Sequence, residues 1–287
     1  MIPGAFDYHR PASLGEAVTL ANELGDDARV LAGGHSLIPM MKLRMAVPEH
    51  LIDLADIDEL KGIDERAGTL VIGAMTSQAE IIGSGLLAER CPILRETAEQ
   101  IADPQIRNVG TIGGNVANGD PGNDMPALMQ ALDASFALTG SGGTRQVAAR
   151  DFYEAAYFTA LEPGEVLSAI HIPIPPAGHG YAYEKQKRKI GDYATAAAAV
   201  LLTMEGGVCT SASIALTNVG DTPLFAEAAG AALVGSAFDE GAVGAAAAAA
   251  EAIASPAEDG RGPVDFRTKV AGVMVRRAIG RAASRAR

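Results

Sequence analysis

No tryptophan occurs in this chain of 287 residues, and aromatic side chains make up only 5% of it. Cysteine is almost as scarce, with only Cys91 and Cys209. Two thiols exclude a disulfide framework and cannot hold an iron–sulfur cluster, which takes about four. Positive charge is in deficit: 23 Lys and Arg stand against 35 Asp and Glu, for a net charge of −12. An acidic balance argues against nucleic acid or an anionic membrane as the main partner. Long apolar runs are missing as well. The longest, from Ala194 to Leu202, includes Thr195 and falls far short of the about 20 residues of a membrane span. The opening MIPGAFDYHRP has no basic end followed by an apolar core, so no signal peptide is expected. A soluble, cytoplasmic protein is the expectation. A hydrophobic share of 48% is enough to build a core and excludes disorder. The length suits two domains, with room for a small third one.

Ser13-Leu-Gly-Glu16 reads as a capping box before a helix with Leu14, Ala17, Val18, Ala21 and Leu24 on one face, stopped by Gly25. Arg29–Ala32 and Leu51–Leu54 read as strands, and Leu37–Met45 as a short helix, so residues 1–54 form an α/β lobe. Residues 55–177 read as a second α/β domain. It has a strand at Thr69–Ile72, a capping box at Ser77–Glu80, a helix from Pro92 to Ile101 and a loop from Gly110 to Asn123. A helix at Pro126–Leu132 and strands at 136–138 and 166–174 complete it. Pro173-Ile-Pro-Pro176 and Gly178 mark a boundary. In residues 178–287, Tyr181–Lys187, Ala194–Met204 and Val208–Leu216 read as a three-stranded meander, though the alanines of the second favour helix. Helices at 223–234, 239–254 and 264–286 follow.

Two segments carry chemistry. Ala32-Gly33-Gly34-His35-Ser36 lies between a strand and a helix. Paired glycines let main-chain N–H groups converge and let a ligand approach the backbone, which suits a phosphate. An ordinary tight turn is the alternative reading. Thr111-Ile112-Gly113-Gly114-Asn115 repeats the Gly-Gly-polar pattern within a stretch of turn formers that reaches Asp124. Two such loops, each offering N–H donors, suit the diphosphate of a dinucleotide, with Ser36, Thr111 and Asn115 adding side-chain hydrogen bonds. Asp124 is a candidate acceptor for ribose hydroxyls or a ring edge. An Ω-loop is the alternative.

Other motifs are absent or misplaced. No Walker sequence and no G-x-S-x-G elbow occur, and the five histidines have no metal-ligand spacing. Gly83–Ala88 matches the loose dinucleotide fingerprint but follows a helix pattern. Lys185–Lys189 reads as a solvated basic strand end or a contact for a pyrophosphate or acidic surface. Tyr193 is a candidate ring to pack on a flat cofactor. The arginines at 276, 277, 281, 285 and 287 read as complements to a helix C-terminus.

The two glycine segments, from Ala32 to Arg44 and from Thr111 to Ala127, resemble those of the FAD-binding subunits of molybdenum hydroxylases. Within that family the similarity runs towards the medium subunits of aerobic carbon monoxide dehydrogenases and covers essentially the whole chain. Met1–Gly4, Gly178–Glu184, Arg188–Ala196, Leu216–Val219 and Asp259–Pro263 fit as well. The resemblance implies an α+β chain. Its first two lobes would have the vanillyl-alcohol-oxidase fold and hold FAD between them. A three-stranded antiparallel sheet with a helix bundle would follow. It implies non-covalent FAD against residues 32–36, Leu37, Ile101, residues 111–115, Asp124, Leu161, Lys185 and Tyr193. It further implies no catalytic acid or base and no metal on this chain. An iron–sulfur small subunit with [2Fe–2S] clusters and a large subunit with a molybdenum–copper centre would be its partners, in a dimer of heterotrimers. Electrons from CO oxidation would reach FAD and then a quinone-type acceptor, with the complex in the cytoplasm or at the inner face of the membrane. Oxidation of an aldehyde, purine or N-heterocycle, or a purely assembling role, are the alternatives.

Overall fold

The computed structural model describes residues 2–287; Met1, the start of the Met1–Gly4 stretch, lies outside the described residues. The first lobe contains β1 (Asp7–His9), α1 (Leu14–Leu24), β2 (Ala28–Leu31), α2 (Leu37–Lys42) and β3 (His50–Asp53). Its sheet is parallel, in the order β1-β3-β2. β1 has no alternating pattern, and the sequence did not signal it. Ser13 caps α1 by accepting from Glu16 N at 3.2 Å. The expected reciprocal bond is displaced by one residue, because Glu16 accepts from Ala12 N at 2.8 Å. Ala17, Val18 and Ala21 of α1 are buried against Ile52 and Leu54.

The middle domain begins with β4 (Ile63–Arg66) and β5 (Thr69–Gly73). Six short helices follow: α3 (Gln78–Gly83), α4 (Gly85–Arg90), α5 (Ile93–Ala98), α6 (Pro104–Val109), α7 (Ile112–Ala117) and α8 (Asp124–Ala131). β6 (Ser135–Gly140), β7 (Gly143–Ala148), β8 (Tyr153–Ala155), β9 (Phe158–Thr159) and β10 (Val166–Pro173) complete it. The main sheet is antiparallel, in the order β4-β5-β10-β6-β7. Ser77 and Glu80 form the full reciprocal capping box of α3. Two expectations are corrected. The helix from Pro92 ends at Ala98, so Ile101 stands in the turn beyond it. The stretch from Gly110 is not all loop: Thr111 caps α7 by accepting from Gly114 N at 3.0 Å. A polar residue that satisfies the N–H three positions on starts a helix even in glycine-rich sequence.

The third unit is built from β11 (Gly180–Gln186), β12 (Ala196–Glu205), β13 (Val208–Thr217) and the two-residue β14 (Leu224–Phe225). These pair antiparallel in sequence order, so the expected three-stranded meander carries a short fourth strand. α9 (Glu227–Ala231), α10 (Glu240–Ile253) and α11 (Val264–Arg285) cover one face. The alanines of β12 have a physical reason. Ala196, Ala198 and Val200 face α11 and its neighbours, while Ala197, Ala199 and Leu201 join the core of the middle domain. A strand sandwiched tightly on both faces has room only for small side chains, and that packing overrides helix propensity.

The arginines of α11 do not serve its own C-terminus as expected. Arg276 pairs with Glu240 at 2.5 Å, while Arg281 and Arg285 reach Glu96 of α5 at 3.0 and 2.8 Å. Arg267, which sequence reasoning passed over, is buried and donates to the carbonyls of Thr195, Ala257 and Asn218.

Candidate functional site: a cavity between the lobes

A cavity of about 930 Å³ runs between the first lobe, the middle domain and the edge of β11. That is at the upper end for a cofactor site, which spans about 300–1,000 Å³. Of the residues singled out from sequence, Ala32, Gly33, Gly34, His35, Ser36, Leu37, Ile101, Thr111, Gly113, Gly114, Asn115, Asp124, Leu161, Lys185 and Tyr193 all line it. Ile112 does not. Its side chain is fully buried in the middle-domain core.

The two glycine segments differ in what they offer. In the first, the N–H groups of Gly33 to Leu37 donate to no protein acceptor among the described residues. The His35 ring folds back on its own loop, with Nδ1 2.7 Å from Gly33 O. The result is a short concave run of backbone donors at the mouth of α2, a chemistry that fits an anion. In the second segment four of the five N–H groups, those of Ile112 to Asn115, are already used. Ile112 and Gly113 donate to Thr76 O and Ala74 O at 2.9 Å, and Asn115 donates to Thr111 O at 3.1 Å. The second segment thus keeps at most the Thr111 N–H as a free backbone donor among the described residues, where two equal runs of donors were expected. The second is a buttress, which presents the side chains of Thr111 and Asn115 to the cavity.

The glycines also act differently from expectation. A Cβ on Gly33 would lie 2.5 Å from Val109 O, and one on Gly113 would lie 2.5 Å from Ala74 Cβ. Their absent side chains let segments of the protein meet, which brings the first loop onto the second. Gly34 adopts φ +72°, where L side chains are strained.

At the other end, Asp124 is 4% exposed and already bonded on both oxygens. Tyr183 OH donates to Oδ1 at 2.6 Å, and Lys185 Nζ to Oδ2 at 2.7 Å. Asp124 thus anchors Lys185 before it can accept from any ligand. Lys185 itself is not a solvated strand end, with its side chain 1% exposed. Burial, then the Asp124 charge, raises the Tyr183 phenol well above its ordinary range. Tyr193 is 41% exposed and donates to Asp120 Oδ2 at 3.1 Å, with its ring against Gly122. Burial, then Asp120, raises its phenol as well.

Sequence reasoning missed Gln78, Ala102, Tyr157 and Phe158, all of which line the cavity. An adjacent Tyr-Phe pair in so aromatic-poor a chain is a signal that the sequence did offer. Gln78 and Ala102 carry none. Among the described residues no cluster of His, Cys, Asp and Glu is placed to hold a metal ion. Burial lifts the Cys91 thiol to about 12, so it is an inert core residue.

The FAD binding domain model of molybdopterin dehydrogenases matches residues 4–175, and the CO dehydrogenase flavoprotein C-terminal domain model matches residues 181–282. The chain is 67% identical to the carbon monoxide dehydrogenase medium chain of Afipia carboxidovorans, over 100% of both chains. It is 53% identical to the same subunit of Hydrogenophaga pseudoflava, over 99% of each. The fold is similar to a chain in the crystal structure of a cyanide-inactivated Cu,Mo–CO dehydrogenase, at a TM-score of 0.99, 67% identity and 100% coverage of both. A cavity with free backbone donors at one end and a buried ion pair at the other agrees with these matches, and the chain belongs to the family of FAD-binding subunits of molybdopterin dehydrogenases.

Proposed function

We propose that the chain is the flavoprotein subunit of a carbon monoxide dehydrogenase. It takes electrons from an iron–sulfur small subunit after CO and water are converted to CO2 at a molybdenum–copper large subunit, and delivers them to a quinone-type acceptor. The observation that carries this reading is end-to-end identity of 67% to a carbon monoxide dehydrogenase medium chain, with no segment left over on either side. The chain has no cysteine set for its own iron–sulfur relay, which suits a subunit that receives electrons from a partner.

FAD supplies the exchange of electrons when bound. The residues of this chain bind and orient it. The free N–H groups of Gly33–Leu37 hold the diphosphate, with the hydroxyls of Ser36 and Thr111 and the amide of Asn115 beside them. Ile101 and Leu161 flank the ring as apolar walls, and Lys185, fixed by Asp124, places a positive charge at its edge. Tyr193 closes the site towards solvent. Gly34, His35 and Leu37 shape the loop. No side chain here needs to transfer a proton to substrate. Among the described residues no helix is long and apolar enough to cross a membrane. In this reading the complex works in the cytoplasm, at the inner face of the membrane where a quinone is within reach, as a dimer of heterotrimers.

The test uses the purified native complex. A flavin absorption spectrum and CO-dependent reduction of a dye acceptor are expected. A colourless complex overturns the cofactor reading, and a yellow complex active only with an aldehyde, purine or N-heterocycle overturns the substrate reading.

A further inference from the structure

Behind the cavity wall, a cationic cluster joins Lys185 to two residues, Arg107 and Lys187, that have no part in the functions assigned above. The turn after α5 exposes three successive carbonyls, and each is held by a positive side chain. Arg107 Nη1 donates to Glu99 O at 3.2 Å and to Ile101 O at 2.9 Å. Lys185 and Lys187 both reach Gln100 O at 3.4 Å. Lys187 Nζ makes its shortest bond, 2.9 Å, to the side-chain Oε1 of Gln100. The next residue, Ala102, adopts φ +44° and lines the cavity beside Ile101.

The charges here do not balance. Asp124 is committed to Lys185 at 2.7 Å, Glu99 to Arg95 at 2.9 Å, and Asp192 to Arg188 at 2.8 Å. Lys187 and Arg107 bond carbonyl and amide oxygens and have no carboxylate partner among the described residues. A half-buried ammonium without a counter-ion is costly to keep charged, and it strengthens any negative charge that forms nearby. Burial, and after it the neighbouring Lys185 charge, pushes the Lys187 ammonium below its ordinary range.

We propose that Lys187 is a positioning residue that acts through Gln100 and Lys185 to place unneutralised positive charge behind the buried end of the cavity, and so raises the reduction potential of the flavin bound there. The inference rests on the FAD reading given above. Taking up two electrons and one proton turns the neutral oxidised ring into a singly negative one. Positive charge in the wall favours that change, as charge near the ring tunes a flavin. Lys187 lines no part of the cavity, so its effect is on the potential and not on contact with the cofactor.

The test is a spectroelectrochemical titration of flavin in the assembled complex, with dithionite as reductant and redox mediators, for Lys187→Gln, Lys187→Met and Lys187→Arg. Flavin content is measured on the same samples. The expected result is full flavin in all three, a potential shifted to more negative values in the Gln and Met variants, and the wild-type potential in the Arg variant. An unshifted potential with full flavin overturns the proposal. Loss of flavin from the Gln and Met variants while Arg keeps it makes Lys187 a structural clamp, and that also overturns it. A wild-type complex without flavin instead overturns the reading on which the proposal rests.

Discussion

At the scale of single residues, packing explains the paired glycines. Gly33→Val would place a branched side chain where a bare Cβ already lies 2.5 Å from Val109 O. Separating the two segments costs about 1–3 kcal/mol by analogy with overpacked cores, and it moves the free donors away from the place proposed for the diphosphate. The expected outcome is a complex that assembles but loses its flavin on desalting, read as the ratio of flavin to protein absorbance. Undiminished flavin would show that the loops can part without harm. Asp124→Asn tests the opposite end. It leaves Lys185 buried and unpaired, and breaking a buried pair on one side costs about 3–5 kcal/mol. The expectation is a large fall in melting temperature, partly recovered in the Asp124→Asn, Lys185→Met double variant. The glycine pairs at 33–34 and 113–114 were legible in sequence through the polar residues that follow them, His35-Ser36 and Asn115; adjacency alone does not mark them, since Cβ atoms on Gly142-Gly143 and Gly206-Gly207 would meet open space. The depth of Lys185 was not legible. A lysine followed by four basic or polar residues, Gln186 to Lys189, reads as solvated, and only the pairing of β11 with β12 places it against Asp124.

At the scale of elements, capping boxes marked the starts of α1 and α3, whereas α4, α6 and α7 went unread and the helix expected from 223 begins only at Glu227, after β14. Ser77 with Glu80, and Gly25 after Leu24, are local chemistry and were readable. β1, β4, β7, β8 and β9 were not. β4 and β7 are mostly exposed pairs at the sheet margins, so they bury too little on one face to leave an alternating pattern. Such margins are held by side-chain pairs, which gives a prediction. Arg145 on β7 donates to both oxygens of Glu165, just before β10, at 2.7 and 2.8 Å. These hydrogen bonds hold the Glu165 carboxyl below its ordinary value near 4.5. A depressed carboxylate stabilises the fold fully above its unfolded pKa and loses that stability as pH falls through the folded one. Glu165→Gln should therefore cost about 0.5–1 kcal/mol at neutral pH, as for a well-formed surface pair. The gap to wild type should close as pH drops below the carboxylate range. Melting curves across pH measure it, and a gap that persists in acid would show that the hydrogen-bonded shape matters and the charge does not.

At the scale of the whole molecule, the cavity belongs to no single unit. The first lobe supplies the free donors, the middle domain the buttress and Asp124, and the third unit Lys185 and Tyr193. One core runs through two of these units, since Tyr183, Ala197, Ala199, Leu201 and Ala215 pack with Leu70, Ile72 and Phe136. Glu96 on α5 is the polar counterpart of that seam. Its Oε1 accepts from Tyr183 N at 2.7 Å, and its Oε2 accepts from Arg281 and Arg285 at 3.0 and 2.8 Å. Arg281 also pairs with Glu184, so four side chains from α5, β11 and α11 meet. α5 leads directly into the turn that carries Ile101, and β11 carries Lys185, so Glu96 fixes the spacing of two cavity walls. Glu96→Ala should cost about 1–3 kcal/mol through the unpaired N–H and guanidinium groups. It should cost more in the flavin-loaded complex than in the flavin-depleted one, because a ligand stabilises the fold only as far as its affinity allows. Thermal unfolding of both forms, with the rate of flavin loss from the loaded one, measures the difference. An equal loss in both forms, with unchanged flavin release, would reduce Glu96 to a fastening of the third unit with no hold on the site.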